Sequence, residues 1–316
     1  MNLSIIIPLL NEAESLPELH QWILDELTPT SLSFEILFID DGSTDTSWEE
    51  IEKLHQSHNN TYGIRFSKNF GKSQALHAGF AEAKGAVVVT LDADLQDAPS
   101  EILNLYNRIQ KENLDLISGW KKKRYDSLFL KNIPSKFFNW TARRSSGIYL
   151  HDFNCGIKAF KSEVIKNIEV FGEMHRYIPV LVAHAGFTKI GEQIVQHQAR
   201  KYGVTKFGWT RFMNGFLDLL TLRFLNKFGK RPMHFFGFWG SLMFLIGFSV
   251  AVYLGIDKLF LNPGGRLIAQ LPEFYIALTT MVLGTQFFVA GFLGELWIGQ
   301  QKNTQRYTIK KKLKKS

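Results

Sequence analysis

The sequence predicts a doubly wound α/β domain followed by an amphipathic segment and two membrane-spanning helices. Three observations predict this order. β-Rich runs alternate with helical patterns over the first 120 residues, acidic loops follow three of the predicted strands, and two long uncharged stretches lie near the C-terminus. Alternating strands and helices are typical of a mostly parallel sheet covered by helices on both faces.

Five strands and four helices are predicted in the first region. The strands are short β-rich runs, and the helices show apolar residues at helical spacing or begin after a typical start signal. Thr46 and Glu49 have the spacing of a capping box, with Asp45 as the alternative N-cap. In chain order the predicted elements are the strand Leu3–Pro8, the helix Glu14–Leu27, the strand Phe34–Ile39, a helix from Thr46 to His58, the strand Gly63–Phe66, the helix Lys72–Lys84, the strand Ala86–Leu91, a helix from Pro99 to Glu112 and the strand Asp115–Ser118.

Two stretches near the C-terminus are long enough to cross a membrane. Residues 235–256 and 274–294 are uncharged, and about 20 apolar residues span a hydrocarbon core. Their glycines suit membrane helices better than the alternative, a pair of buried core helices. Basic residues flank the pair on both sides, including Lys227, Lys230 and Arg231. The positive-inside rule therefore predicts that the N-terminal domain and both termini face the cytoplasm.

Composition and charge divide the chain into four parts. We expect a globular domain over residues 1–207, an amphipathic juxtamembrane segment over 208–231, two membrane helices over 232–298 and a basic tail over 299–316. Residues 1–199 hold 20 Lys and Arg against 25 Asp and Glu, so the overall net charge of +8 arises elsewhere. A nucleic-acid-binding domain carries positive charge on its folded surface, and the sequence therefore predicts no nucleic-acid partner.

The two basic segments each have two interpretations. Residues 208–231 form a helix lying in the membrane interface, or an ordinary helix packed on the globular domain. Residues 302–316 hold seven Lys and Arg and no acidic residue, so the tail rests on anionic headgroups or is a solvated end.

Acidic residues follow three of the predicted strands. Glu12 comes after the first strand, residues 40–45 after the second and residues 92–97 after the fourth. The carboxyl ends of parallel strands meet at one edge of the sheet, where open α/β sheets bind ligands. Asp92 and Asp94 can face one ion, and their oxygens suit Mg²⁺ or Mn²⁺. Solvated or helix-capping aspartates are the alternative for each loop alone, but three such loops at one edge favour a cation site.

Several common site motifs are missing from the sequence. There is no G-x-G-x-x-G, no G-x-x-x-x-G-K-[ST] and no G-x-S-x-G, which argues against dinucleotide, NTPase and serine-hydrolase sites. The single cysteine, Cys155, excludes an internal disulfide framework, and its apolar neighbourhood favours a buried side chain over a nucleophile.

Seven segments follow one another in an order and spacing typical of one family. They are Ile7–Glu12, Ile39–Asp45, Asn69–Lys72, Leu91–Asp97, Asp152–Lys158, Met174–Arg176 and His197–Lys206. Together they resemble family 2 glycosyltransferases of the GT-A fold. More narrowly, they resemble the polyprenyl-phosphate glycosyltransferases, which include dolichol-phosphate mannose synthase and bacterial undecaprenyl-phosphate glucosyl- and aminoarabinosyltransferases. The resemblance covers nearly the whole chain, because many bacterial members also have two C-terminal membrane helices.

The resemblance implies a reaction and a location. The enzyme would transfer a sugar from a UDP- or GDP-sugar to a polyprenyl phosphate, undecaprenyl phosphate in a bacterial two-span layout, with inversion and with Mg²⁺ or Mn²⁺. It would lie in the inner membrane and form a homo-oligomer. The sugar, the base and the choice between undecaprenyl and dolichyl acceptors stay open. A processive family 2 polysaccharide synthase and a membrane-anchored binding module without turnover are the alternatives. The missing Q-x-x-R-W string argues against the first, and the intact Asp92 and Asp94 pair argues against the second.

The resemblance also implies roles for individual residues. Those implied to bind the nucleotide-sugar are Pro8, Leu10, Glu12, Ile39, Asp41, Asp92, Ala93, Asp94 and Gln96. Among them, Asp92, Asp94 and Gln96 would surround the metal.

Basic residues complete the implied site. Arg200 and Lys206 would close over the phosphates and act in catalysis with Asp92 and Asp94. Lys121 and Arg124 would bind the lipid phosphate, although many members carry arginine where this chain has Lys121, which binds as a point charge. Residues 121–144 would form the entrance for that lipid, with a solvated loop as the alternative. The roles of His175, Arg176 and His197 stay open.

Overall fold

The computed structural model describes residues 1–122, 143, 147–170, 172, 174–198, 201–202, 232–300 and 309–313. The chain divides into a sheet unit, Met1–Leu220 with Gln305–Ser316, and a helical unit, Thr221–Thr304. The predicted amphipathic segment 208–231 lies outside the described residues, as do Arg124, Arg200 and Lys206.

The sheet unit contains an eight-stranded sheet with strand order β7-β5-β6-β4-β1-β2-β3-β8. Its elements are β1 (Leu3–Leu9), α1 (Leu16–Leu27), β2 (Phe34–Asp40), α2 (Ser47–Ser57), β3 (Thr61–Phe66), α3 (Lys72–Glu82), β4 (Val87–Thr90), α4 (Ser100–Glu112), β5 (Leu116–Trp120), β6 (Lys158–Lys161), α5 (Ser162–Lys166), a 3₁₀ turn (Met174–Tyr177), α6 (Ile178–His184), β7 (Ile190–Ile194) and β8 (Ile309–Leu313).

The centre of the sheet is parallel. β1 pairs in parallel with β2 and β4, and β2 pairs in parallel with β3. β6 runs antiparallel between β4 and β5, and β7 is parallel to β5. The predicted fold class, a doubly wound and mostly parallel α/β sheet, is therefore confirmed, and the five predicted strands correspond to β1 to β5.

Burial explains why β1 lies at the centre. All seven residues of β1 are buried, as expected for a strand covered on both faces. The predicted apolar stripe of α1, which includes Leu16, Leu19 and Ile23, packs into the same core. Each fully buried leucine or isoleucine stabilises the fold by about 1.5–3 kcal/mol. This rigid centre fixes the positions at which the carboxyl ends of β1, β2 and β4 emerge.

The start of α2 differs from the prediction. Thr46 occupies the N-cap, but its side chain makes no capping hydrogen bond, so the predicted capping box is wrong. The Oδ1 atom of Asp45 instead accepts the N–H of Ser47 at 3.0 Å. Its Oδ2 atom accepts the N–H of Ala13 at 3.3 Å. The Asp45 carboxylate therefore accepts one N–H group at the start of α2 and one from the loop after β1. The Thr46 hydroxyl makes no capping bond to the helix.

Part of the basic tail belongs to the sheet. Residues 309–313 form β8, which pairs antiparallel with β3 so that Gly63 lies opposite Leu313 and Phe66 opposite Ile309. Without β8, the strand β3 would expose a row of unpaired N–H and C=O groups, which attract extended segments. For these five residues the alternative of a solvated end is wrong, because they form a paired strand, whereas contact of the basic tail with anionic headgroups stays a prediction.

The helical unit consists of two long helices and short turns between them. These are α7 (Pro232–Ile256), a π-helical turn (Asp257–Leu261), a 3₁₀ turn (Ile268–Gln270) and α8 (Pro272–Gln300). Residues 232–261 and 272–296 are long and apolar enough to cross a membrane, with mean hydropathies of 1.9 and 1.8. Only 17% of each apolar window is buried within the described residues, unlike the core helices of a soluble protein. Both predicted stretches lie within these helices.

Glycines let the two long helices approach closely. A Cβ atom on Gly240 would lie 2.6 Å from the carbonyl oxygen of Gly284, and one on Gly247 would lie 2.6 Å from that of Ala277. Small residues at such contacts are typical of helix pairs in membranes, where packing rather than the hydrophobic effect drives association. The large apolar side chains point outward instead, as shown by Phe238, which is 62% exposed.

Candidate active site

The loops at the carboxyl edge of the parallel strands enclose a cleft of about 440 Å³. A cleft of this size suits a small-molecule ligand. The predicted acidic loops after β1, β2 and β4 all contribute, and the loop before α3 and the 3₁₀ turn complete the wall. The lining residues are Pro8, Leu9, Leu10, Glu12, Asp41, Asn69, Gly71, Lys72, Ala75, Asp92, Ala93, Asp94 and His175.

Most of the residues implied to bind a nucleotide-sugar meet in this cleft, but two do not line it. Ile39 is fully buried and lies beneath α3, where a Cβ atom on Gly79 would be 3.4 Å from the Ile39 Cγ1 atom. Gln96 is half-buried, and its carbonyl oxygen accepts the N–H of Gln198 at 2.8 Å. Gln96 thus connects the loop after β4 to the segment after β7.

The loops after β1 and β2 are cross-linked by hydrogen bonds between side chains and backbone. Asn11 adopts a left-handed conformation with φ 56°, and its Oδ1 atom accepts the N–H of Thr44 at 2.8 Å. The N–H of Asn11 donates to Ser43 Oγ at 2.9 Å, and that of Glu12 donates to Ser47 Oγ at 3.0 Å. These bonds hold the loop that presents Glu12 to the cleft.

Asp41 organises the loop that leads into α3. Its Oδ1 atom accepts the N–H of Phe70 at 2.7 Å, and its Oδ2 atom accepts that of Gly71 at 2.9 Å. Gly42 permits this approach, because its φ is +76° and a Cβ atom there would lie 2.7 Å from the Cα of Lys68. Burial raises the pKa of Asp41 to about 6, although the two N–H donors lower it.

Asp92 and Asp94 follow β4, and both line the cleft. The Oδ1 atom of Asp94 accepts the N–H of Gln96 at 3.3 Å. Asp92 packs against Gly156 so closely that a Cβ atom on this glycine would overlap the carboxylate. The Thr90 hydroxyl donates to the Gly156 carbonyl oxygen at 2.8 Å and holds the glycine in place. The position of Asp92 therefore depends on a glycine far away in the sequence.

Lys72 forms an ion pair with Asp92. Its Nζ atom lies 2.5 Å from Asp92 Oδ1, and the two side chains are 36% and 28% exposed. Burial alone would raise the pKa of Asp92, but the positive charges of Lys72 and Lys121 outweigh that effect and lower it to about 2. Asp92 is therefore ionised throughout the physiological pH range.

The carboxylates of the cleft fit a divalent cation that shares its coordination with a substrate. Asp92 and Asp94 offer hard oxygen ligands in one cleft. Among the residues that the structure describes, no group of three or more His, Cys, Asp or Glu could hold a metal. Mg²⁺ usually binds through one or two carboxylates, with phosphates and waters completing its shell. The pair thus fits a cation held jointly with a phosphate, rather than a closed protein site.

His175 lines the cleft as a neutral side chain. The backbone N–H of His175 donates to Ser73 Oγ at 2.9 Å, and the ring atom Nδ1 lies 3.1 Å from the same oxygen. Burial, helped by the nearby charge of Lys72, lowers the pKa of His175 well below its ordinary value. His175 therefore adds no positive charge to the cleft at physiological pH.

Lys121 pairs with a buried carboxylate instead of lining the cleft. Its Nζ atom lies 2.7 Å from Asp97 Oδ1, and Asp97 is 1% exposed. Burial would lower the pKa of Lys121, but the Asp97 carboxylate raises it well above its ordinary value. His197 approaches the same carboxylate, with Nδ1 3.8 Å from Oδ1. The predicted contact between Lys121 and a lipid phosphate stays a prediction.

Sequence reasoning missed several residues of the cleft. Lys72 and Asn69 belong to a segment that carried the family resemblance, yet no role was assigned to either. Gly156 was likewise part of a matching segment without a role. The signal for Lys72 was its position after a glycine at the start of a helix, next to the same sheet edge as the acidic loops. The contact between Gly156 and Asp92 had no local signal.

Comparison with known proteins agrees with the resemblance. A family model described as glycosyl transferase family 2 matches residues 4–169. Dodecaprenyl-phosphate galacturonate synthase of Rhizobium johnstonii is 34% identical over 298 residues, which cover 94% of this chain and 87% of that protein. Undecaprenyl-phosphate 4-deoxy-4-formamido-L-arabinose transferase of Salmonella choleraesuis is 33% identical over 304 residues, which cover 96% of this chain and 90% of that protein.

Solved structures with a similar fold are also known. Glucosyl-3-phosphoglycerate synthase from Mycobacterium tuberculosis in complex with UDP gives a TM-score of 0.54 at 15% identity, covering 71% of this chain and 79% of that chain. The same enzyme with Mn²⁺, UDP and glucosyl-3-phosphoglycerate gives a TM-score of 0.52 at 15% identity and the same coverage. At this identity the likeness concerns the fold alone. The family model and the two relatives show that this chain belongs to glycosyl transferase family 2.

Proposed function

We propose that this enzyme transfers a sugar from a nucleoside diphosphate sugar to a polyprenyl phosphate at the cytoplasmic face of the inner membrane. The observation that carries the proposal is the cleft where Asp92 and Asp94 meet Glu12 and Asp41. The two apolar helices support a membrane-bound acceptor. The relatives, which match nearly the whole chain, are named for dodecaprenyl and undecaprenyl phosphate.

The donor site combines apolar and acidic walls. Pro8 and Leu10 offer apolar surface to the base, while the Glu12 and Asp41 carboxylates accept hydrogen bonds from N–H or hydroxyl groups. UDP- and GDP-sugars both fit this chemistry.

The acidic pair serves the diphosphate. Mg²⁺ or Mn²⁺ bound by Asp92 and Asp94 would neutralise negative charge on the leaving diphosphate. Asp92 can bind a cation without losing a proton, since its pKa is about 2. Gly156 and Thr90 keep its carboxylate in position. In this proposal Arg200 and Lys206 add positive charge at the diphosphate, and Gln96 supports the loop of the acidic pair.

The acceptor needs no strong general base. A phosphate monoester has a second pKa of about 6 and is already anionic near neutral pH. One of its oxygens forms the bond to the anomeric carbon, and the bond from that carbon to the diphosphate oxygen breaks. The electron pair leaves with the nucleoside diphosphate, and because the attack comes from the face opposite this leaving group, the anomeric centre inverts. The scheme assigns no general-base role to Asp41, whose two carboxylate oxygens already accept the backbone N–H groups of Phe70 and Gly71.

The chain order supports a cytoplasmic sheet unit. β8 follows both apolar helices, yet it pairs with β3 of the same sheet, which requires an even number of membrane crossings. Basic residues before and after the helices favour the cytoplasmic side.

The proposal has three further parts. Residues 208–231 form an interface helix, and copies of the chain assemble into a homo-oligomer. Residues 121–144 form the acceptor entrance, with Lys121 and Arg124 at the lipid phosphate.

The test uses the purified full chain in detergent with Mn²⁺, undecaprenyl phosphate and a panel of radiolabelled UDP- and GDP-sugars. We expect one donor to transfer its label into the organic phase and chelation to stop the transfer. Asp92→Asn should lose at least about a hundredfold in rate, because the diphosphate charge is no longer compensated. Asp25→Asn, an exposed position on α1, serves as the matched control.

Three outcomes would contradict the proposal. Label that stays in water for every donor, with folded protein, would indicate a binding module without turnover. A product containing many sugars in series would indicate a processive synthase. Full activity of Asp92→Asn would show that the acidic pair is not the reaction centre.

A further inference from the structure

The ammonium group of Lys72 pairs with the Asp92 carboxylate, which is one of the two proposed metal ligands. Its Nζ atom lies 2.5 Å from Asp92 Oδ1, and both residues line the cleft with Asp94. An ammonium group and a divalent cation at one carboxylate oxygen repel each other, more strongly in a partly buried site than in water, so each weakens the binding of the other.

The lysine is held in this position from both sides along the chain. On its N-terminal side, the Asp41 carboxylate binds the N–H groups of Phe70 and Gly71. On its C-terminal side, the hydroxyl of Ser73 accepts the N–H of His175 at 2.9 Å. The start of α3 is therefore tied to the loop after β2 and to the 3₁₀ turn. Since the backbone at residue 72 is fixed, only the flexible lysine stem can move its charge.

The carboxylate is fixed as well. Gly156 lies directly against Asp92, in a contact that leaves no space for a methyl group. Thr90 holds that glycine through a hydrogen bond of 2.8 Å. Asp92 therefore cannot turn away from Lys72 toward Gly156, and a cation that binds Oδ1 competes with the ammonium group for this atom.

We infer that Lys72 is a built-in counter-ion of the metal site, which pairs with Asp92 in the absence of a divalent cation and is displaced when one binds. This inference rests on the proposed metal-dependent transfer. Among the residues that the structure describes, the lining of the cleft includes the four carboxylates of Glu12, Asp41, Asp92 and Asp94 and one lysine, Lys72. Lys72 thus compensates part of the negative charge while no cation is present.

The inference has a consequence for the order of binding. A cation that enters alone must break the ion pair and leave the ammonium group without its carboxylate. A cation that enters with a diphosphate brings an anion that compensates the released lysine. We therefore expect weak binding of Mn²⁺ to the free enzyme and tighter binding in the presence of a nucleoside diphosphate.

The test measures Mn²⁺ binding to the full chain in detergent, from the EPR signal of free Mn²⁺, with and without UDP or GDP. Lys72→Met removes the charge and keeps most of the apolar stem. We expect it to bind Mn²⁺ alone at least about fivefold more tightly than the wild type. A factor of about five corresponds to the strongest fully exposed ion pairs, and the pair of Lys72 and Asp92 is only partly exposed. Lys68→Met is the matched control, because Lys68 lies on the same loop, is exposed, and does not line the cleft.

The outcomes separate this inference from the proposed function. If the wild type binds Mn²⁺ with a nucleotide, but Lys72→Met binds Mn²⁺ alone no more tightly than the wild type, the inference is wrong and the metal-dependent function stands. An equal gain in Lys68→Met would show a general charge effect and would also overturn it. If no protein binds Mn²⁺ under any condition, the metal-dependent function fails, and the inference fails with it.

A second measurement avoids any change to the fold. Wild-type protein is acetylated at lysines for a short time with and without Mn²⁺, and the modified sites are quantified by mass spectrometry. An ammonium group paired with a carboxylate reacts more slowly than a free one, so Mn²⁺ should raise the labelling of Lys72 and leave that of Lys68 unchanged. Unchanged labelling of Lys72 at saturating Mn²⁺ would overturn the inference.

Discussion

Glycines allow close contacts in both units, but the partners differ. In the sheet unit, Gly156 leaves room for the carboxylate of Asp92. In the helical unit, Gly240 and Gly284 each leave room for the other's carbonyl oxygen. The first contact positions a charged group, and the second brings two backbones together. We therefore expect a methyl group to impair the reaction in the first case and the stability of the helix pair in the second.

The largest effect is expected for Gly156→Ala. Its methyl group would push the Asp92 carboxylate away, because the Thr90 hydrogen bond prevents the glycine from retreating. Sugar transfer should fall about a hundredfold, as expected when a charged group at a reaction centre is misplaced. The melting temperature in detergent should change little by comparison.

Gly255→Ala is the control, since a Cβ atom there meets nothing within 4 Å. It should leave both transfer and melting temperature close to those of the wild type. A Gly156→Ala enzyme with normal transfer would mean that Asp92 does not need its observed position.

The second effect, on pH dependence, tests whether activity and stability separate within the sheet unit. Burial raises the pKa of Asp41 from its ordinary 3.8 to about 6. Below that pH, Asp41 gains a proton and holds the Phe70 and Gly71 N–H groups less well. We expect kcat/KM for the nucleotide-sugar to fall about tenfold from pH 7 to pH 5. Asp41→Asn should be less active and lack this acid limb.

The same proton has the opposite effect on stability. Between the unfolded pKa of 3.8 and the folded value of about 6, the native state binds more protons than the unfolded state. The contribution of Asp41 to the free energy of unfolding therefore falls as the pH rises through that window. Thermal unfolding of wild type and Asp41→Asn across pH 4 to 7 measures it. An acid limb that persists in Asp41→Asn would assign the limb to another group.

The smallest effect is expected for Gly240→Ala in the helical unit. A methyl group there would lie 2.6 Å from the Gly284 carbonyl oxygen, so the helices must separate slightly. We expect the unit to lose about 1 kcal/mol of stability, at the low end for overpacking, with transfer nearly unchanged. Scanning calorimetry in detergent beside Gly255→Ala measures the difference. Lost transfer at normal stability would show that the helices act directly in the reaction.

The centre of the fold could be predicted because its signals are local. β1 and α1 carry apolar patterns within a few residues, and the predicted strand Leu3–Pro8 differs from the observed Leu3–Leu9 by one residue. β6 and β7 are short segments of four and five residues without a clear alternation. β8 has the composition of a charged tail, and only the open edge of β3 makes it a strand.

The candidate site could be predicted in part, for the same reason. Asp92, Asp94 and Glu12 stand directly after strands, so their place in the fold follows from the fold class. The contacts of Asp92 with Lys72 and Gly156 join distant segments and depend on the packing of the whole sheet. Ile39 precedes the end of β2, where α3 covers it, and this cover, which keeps Ile39 out of the cleft, is not visible in the local sequence.

The strand β8 also sets an order of events during synthesis. Among the described strands it is the last in chain order, and both apolar helices are made before it. The edge of β3 therefore stays open while the helices enter the membrane, and an open edge can recruit foreign strands. The sheet gains this strand only after residues 309–313 have left the ribosome. A chain truncated before Ile309 would keep every residue of the described cleft but retain an exposed edge, and would be prone to aggregate.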